Sequence, residues 1–200
     1  VGGTVAALVI ALVGFYTIRL ASARNTALAE AARSERIQRF TLNLFRGGET
    51  AVAPAESLRV VSLLEGGVRE AAGLDREPEV QAELFQTLGT VFRQLGKFDR
   101  ADSLLTRAVA LRTARRDTTS TDLARSLVLL GRLRIDQARL EEADSLIRRG
   151  LGILRRSLPA DHPSVVDASV ALGLALQKRG QYDEAIEILG GVIQVDSATG

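Results

Sequence analysis

The chain has 200 residues, 46% of them apolar, with eight aromatics (six Phe, two Tyr) and no Trp. An interior assembled from Leu, Ile, Val and Ala suits close-packed helices better than a β-sandwich. No cysteine is present, which excludes disulfides, zinc–thiolate sites and thiol catalysis. The charge is unevenly placed: residues 19–46 carry six Arg against Glu30 and Glu35, a net of +4, whereas the remainder of the chain is net −2. The pI near 9.5 therefore reports one basic stretch and not a nucleic-acid-binding face.

Residues 1–18 contain no charged side chain and are long enough, as a helix, to cross most of a bilayer core. Tyr16 and Arg19 stand at the end of this run, where aromatic and basic residues favour the lipid interface. The pattern predicts a single transmembrane helix over 1–20. A signal peptide cleaved at Ala21-Ser22-Ala23 and a buried soluble helix are the alternatives. The arginines after the span favour a cytoplasmic C-terminal side, but the rule compares two flanks and only one is at hand, so the side stays open. No Met occurs at position 1, so we expect an excerpt from a longer protein, with an unusual start codon as the alternative.

Residues 21–46 read as a juxtamembrane connecting helix. Ile37, Phe40 and Leu44 form one apolar stripe, which either packs on residues 57–72 or pairs with a second copy in a homodimer. Residues 47–81 read as a loop followed by a partial first repeat.

A repeat of 42 then governs the chain. Leu88-Gly89, Leu130-Gly131 and Leu172-Gly173 are evenly spaced, and aligning on them gives three blocks, 82–115, 124–157 and 166–199. Each block predicts two amphipathic helices around a tight turn: 82–95 with 98–111, 124–137 with 140–155, and 166–179 with 182–195. Gly96 and Gly180 are placed to end the first helix at positive φ, and Ala138 occupies that place in the middle block. Phe98, Leu140 and Tyr182 open each second helix. Ala101, Ala143 and Ala185 recur where paired helices approach closest, and Gly89, Gly131 and Gly173 do the same on the first helices.

Leu-Gly, then Gly, Tyr/Phe and Ala at these offsets resemble the tetratricopeptide repeat. The 42-residue period and Asp161-His162-Pro163 resemble its longer, kinesin-light-chain-like version. Arg134 departs from the family's aromatic, and no block ends in the family's Pro. Ser57–Ala72 matches the second helix of an earlier repeat, so the resemblance covers about residues 57–195. It implies an all-α fold: a right-handed superhelix, or α-solenoid, of helical hairpins preceded by the membrane segment. A span, an Arg/Ala-rich helix and such repeats in that order also resemble the C-terminal region of bacterial serine/threonine protein kinases. No Gly-rich nucleotide loop, His-Arg-Asp or Asp-Phe-Gly is present, so any kinase activity would belong to residues outside this chain.

No active site is expected. His162, the only histidine, precedes a Pro in a linker. The acidic groups Glu141-Glu142-Asp144 and Asp183-Glu184-Glu187 open second helices, where they complement the helix dipole; no spacing suits a metal or cofactor. The candidate function is binding. By family position, the concave face carries Glu83, Gln86, Thr90, Arg93 and Gln94 in the first repeat. In the second it carries Arg125, Val128, Arg132 and Asp136, and in the third Asp167, Val170, Leu174 and Lys178. Arg mixed with Val and Leu suits a peptide bearing acidic and apolar side chains; an ordinary solvated face is the other reading. The Lys/Asn clamp for a C-terminal carboxylate is not matched.

The resemblances imply a membrane-anchored protein-interaction module, single-pass in a bacterial inner membrane, as the regulatory or sensory region of such a kinase. The alternative is a secreted or periplasmic scaffold or assembly factor with a cleaved signal peptide. The closing helix bears Ile186, Leu189, Val192 and Ile193, too many to face one neighbour. The array is therefore expected to continue past Gly200, and the isolated chain to self-associate.

Overall fold

The computed structural model describes residues 56–114 and 120–199, with side chains placed for 60–114 and 120–192. The chain divides into two compact units, Val1–Leu63 and Leu64–Gly200. Seven helices and no strand occur among the described residues. They are α1 (Glu56–Ala72), α2 (Pro78–Gln94), α3 (Phe98–Ala114), α4 (Thr121–Asp136), α5 (Leu140–Ser157), α6 (Pro163–Lys178) and α7 (Tyr182–Thr199). In the second unit, α2–α3, α4–α5 and α6–α7 are hairpins packed in chain order. The expected solenoid-like stack of helical hairpins is therefore observed. The predicted membrane segment and the stripe Ile37–Phe40–Leu44 lie outside the described residues. Among the described helices none is long and apolar enough to cross a membrane.

The helices are longer than the pattern predicted, because their caps lie outside the apolar periodicity. The first helices start at Pro78, Thr121 and Pro163, three or four residues before the expected positions. Pro78 and Pro163 sit in the first turn, where a missing N–H costs nothing. Ser120 caps α4 by accepting from the Asp122 N–H at 3.2 Å. His162 caps α6 in the same way, its Nδ1 accepting from the Ser164 N–H at 3.1 Å, which gives the lone histidine a structural role.

The three hairpin turns share one geometry. Gly96, Ala138 and Gly180 have φ of 69°, 58° and 78°. The following N–H groups of Lys97, Arg139 and Gln181 return to the carbonyls of Phe92, Arg134 and Leu176 at 2.8, 2.8 and 2.9 Å, a Schellman closure in each case. Glycine reaches this conformation freely, whereas Ala138 carries a Cβ penalty of about 1 kcal/mol or more.

Helix pairing is set by small residues. A Cβ on Gly89 would lie 2.8 Å from Leu105 Cγ, one on Gly131 2.5 Å from Ile147 Cγ1, and one on Gly173 2.7 Å from Leu189 Cγ. Ala101, Ala143 and Ala185 are buried as expected, the first two completely. Leu123, Leu127, Ile147, Leu154, Leu172 and Leu176 belong to one continuous apolar cluster spanning α4 to α7. The start of the stack is closed by α1, whose Leu64, Val68 and Ala71 are buried. Gln81 of α2 donates to the last carbonyls of α1, Ala71 at 3.1 Å and Ala72 at 3.3 Å.

Arg134, the departure from the family pattern, is almost fully buried. It stands 42 residues after Phe92 and 42 before Leu176, both fully buried. Its guanidinium donates to Asp102 of α3 at 2.8 Å and to Gln137 at 2.7 Å, and lies 3.3 Å from Glu142 of α5. A core position thus becomes an ionic joint between successive hairpins. The Arg134 hydrogen bond holds the Asp102 carboxyl below its ordinary range.

Four outcomes follow. Ala143→Arg should lower unfolding free energy by about 3–5 kcal/mol through overpacking and a buried charge, measured by urea titration. Ala138→Gly should raise it by about 0.5–1 kcal/mol, read as a higher Tm. Asp102→Ala should cost about 2 kcal/mol by stripping buried Arg134 of its main acceptor, whereas Arg134→Leu, mimicking Leu176, should cost less. Because the native Asp102 pKa is depressed, its contribution is complete above the unfolded-state value and is lost as pH falls through the native one. Asp102→Asn should accordingly flatten the acid limb of a stability-versus-pH curve.

Candidate protein-interaction surface

The first helices α2, α4 and α6 adjoin in chain order and carry the thirteen residues expected on the concave face. Much of the charge there is already matched within the protein. Arg93 of α2 donates to Asp136 of α4 at 2.7 Å, and Arg132 of α4 donates to Asp167 of α6 at 2.6 Å. Arg132 also reaches the Asp167 carbonyl at 3.1 Å. Four of the thirteen expected contact residues thus form two cross-repeat ion pairs that fix neighbouring helices. Each pair is partly exposed and contributes modestly to stability, about 0.5–1 kcal/mol.

Gln86 is turned inward. Its side-chain oxygen accepts from Ser126 Oγ at 2.7 Å and from Arg112 of α3, and Arg112 also donates to Ser126 and to the Asp122 carbonyl at 3.1 Å. Three helices meet in this network, with Arg112 and Ser126 buried. Forty-two residues later the same three positions are Val128, Leu154 and Ala168, all buried and apolar. One junction is therefore polar and the next is apolar. Sequence reading missed Arg112 and Ser126; the signal available was a polar residue at each position where the following block has an apolar one.

Val128, expected as a contact residue, is 3% exposed and belongs to the apolar cluster, so it presents at most an edge to solvent. Thr90 turns its hydroxyl to the Gln86 carbonyl of its own helix at 2.9 Å. Glu83 is partly buried. Gln94, Arg125, Val170, Leu174 and Lys178 are exposed. The acidic residues at the starts of the second helices have arginine neighbours: Glu142 bonds Arg139 at 2.7 Å, and Asp144 bonds Arg148 at 2.8 Å.

A groove of about 460 Å³ opens between these elements. Gln86, Arg125, Val128 and Asp167 line it, joined by Leu129 and Pro163. Its floor is largely apolar, and Arg125, held by Asp122, stands at the edge with a half-exposed side chain. Such a lining can take an apolar side chain below and a carboxylate at the rim, but it holds no nucleophile–base pair. Among the described residues no group of three or more His, Asp or Glu is placed to hold a metal ion.

Comparison with known proteins agrees with this architecture. Nearly identical TPR-like repeats from Podosopora anserina, described as those of a kinesin light chain, superpose with a TM-score of 0.66 at 23% identity, covering 82% of this chain and 77% of theirs. A single-substitution variant of those repeats gives 0.67 at 22% identity, with 82% and 76% covered. BtubC (BKLC) from P. vanneervenii gives 0.61 at 16% identity, with 85% and 75% covered. At these identities the likeness is one of fold. No curated protein matches the sequence. The tetratricopeptide repeat model matches residues 80–156 and 122–196, which together take in every hairpin described above. With its small-residue helix contacts, Schellman turns and 42-residue period, the chain belongs to the tetratricopeptide repeat family.

Proposed function

We propose that this chain binds a segment of another protein along α2, α4 and α6, and that the segment carries acidic and apolar side chains. The observation that supports this most is the groove in which Gln86, Arg125, Val128 and Asp167 come together from three successive repeats. The Arg93–Asp136 and Arg132–Asp167 pairs set the spacing of the three helices, so the groove is held open before any ligand arrives. Arg125 supplies the cation for a carboxylate at the rim. Tetratricopeptide repeats are non-catalytic interaction scaffolds, and this chain is a member of that family.

The module is tethered to a membrane by residues 1–20 and serves as the regulatory or sensory region of a bacterial serine/threonine protein kinase. This finer reading is supported by the uncharged run at 1–18, the Arg-rich stretch that follows it, and the order in which the repeats come after both. In the alternative, processing after Ala23 releases a secreted or periplasmic scaffold.

Selection of a random peptide library of roughly twelve residues on the immobilised chain should enrich sequences combining Asp or Glu with Leu, Val or Ile. Arg125→Glu should weaken the selected peptides about tenfold or more by calorimetry, whereas Lys97→Glu, in the α2–α3 turn, should not. Failure to enrich any sequence, or equal binding by both variants, would refute the groove. For the tether, the full chain should stay with membranes through an alkaline wash; a mature N-terminus at Arg24 would establish the alternative instead.

A further inference from the structure

Gln86 uses only half of its hydrogen-bonding capacity within the protein. Its Oε1 accepts from Ser126 Oγ at 2.7 Å and from Arg112. A guanidinium can only donate, so the carboxamide has a single orientation, with its oxygen to the network and its nitrogen away from it. Among the described residues nothing accepts from Nε2, which stays open to solvent. The side chain lines the groove beside Val128 and Leu154. Gln86 therefore offers two N–H groups to a largely apolar groove. The network holds them still and strengthens them, because a cation donating to the oxygen draws electron density from the nitrogen. One repeat later the same position is Val128, which has no donor to offer.

Resting on that groove as the binding site proposed above, we infer that the partner segment enters it in an extended conformation and that one of its backbone carbonyls accepts from Gln86. A ligand that fills the groove takes water off these N–H groups, and a buried donor left unmet is costly. The ligand must therefore bring an acceptor to that depth. A helical segment cannot do so with its main chain, since its interior carbonyls are already bonded four residues on. A side-chain carboxylate there would lose its hydration against Val128 and Leu154, which favours a neutral carbonyl. An extended segment turns successive side chains to opposite sides and leaves its carbonyls free. One carbonyl then meets Gln86 while an apolar side chain settles against Leu129 and a carboxylate reaches Arg125 at the rim. Arg112 and Ser126 are positioning residues in this arrangement: they hold the carboxamide that touches the ligand.

The test uses the full chain and the peptides enriched from the library. Gln86→Glu keeps an oxygen for Arg112 and Ser126 but removes both donors. It should weaken those peptides about tenfold with the helical circular dichroism unchanged. Replacing the peptide's amides by esters, one at a time, makes each carbonyl a poorer acceptor. One such replacement should weaken binding to the native chain about fivefold and make no difference to Gln86→Glu, a coupling that a merely structural role for Gln86 would not produce. Ser126→Ala should shrink the same coupling. A lactam-bridged, helix-locked form of the peptide should bind at least about tenfold more weakly than the linear form. Equal binding by Gln86→Glu and the native chain, an ester scan without coupling at any position, or tighter binding of the helix-locked form would each overturn the inference. In those cases weakening by Arg125→Glu still upholds the groove, whereas a library that enriches nothing defeats both.

Discussion

Two helices of a hairpin here approach so closely that one atom decides the spacing. Gly89, Gly131 and Gly173 meet Leu105, Ile147 and Leu189, and in each case an added Cβ would fall inside the contact distance of the opposing side chain. A glycine inside a helix costs roughly 1 kcal/mol of propensity. Three such costs at a fixed interval are sustained because each lets a branched side chain seat fully against the facing backbone. Once that distance is fixed, the turn has little freedom, and all three turns adopt the same left-handed residue and the same Schellman closure. The middle hairpin keeps this geometry even though Ala138 must adopt a positive φ to do so. Pairing dominates local preference at that position.

Between hairpins the protein uses two different chemistries at equivalent places. The Gln86–Arg112–Ser126 network joins α2, α3 and α4, while Val128, Leu154 and Ala168 fill the same positions one repeat later. Arg134 likewise replaces an apolar core residue with a guanidinium bonded across the junction to Asp102. A buried polar network binds only partners whose donors and acceptors align, so it specifies which hairpins stack more sharply than apolar packing does. Apolar packing supplies the larger burial energy. Alternating the two along a short array gives it both cohesion and a defined register.

The interaction surface inherits these constraints. Charges on α2, α4 and α6 are matched to each other in the pairs Arg93–Asp136 and Arg132–Asp167. What remains available is narrower than the full face: the groove beside Arg125, and the exposed residues Gln94, Val170, Leu174 and Lys178.

The sequence alone determined the features that repeat. Period, helix pairing, the positive-φ turn positions and the burial of Ala101, Ala143 and Ala185 all follow from small residues at offsets of 42, since steric exclusion acts through residue type and spacing. Helix starts were less legible, because Ser120, His162 and the two prolines act through caps that lie outside the apolar periodicity. Only the tertiary structure decided which polar side chains are free. Arg93 and Asp136 are 43 residues apart, and Gln86 and Ser126 are 40 apart. Whether a guanidinium points to solvent or to a carboxylate on the next helix depends on the distance and angle between hairpins, which no local pattern encodes.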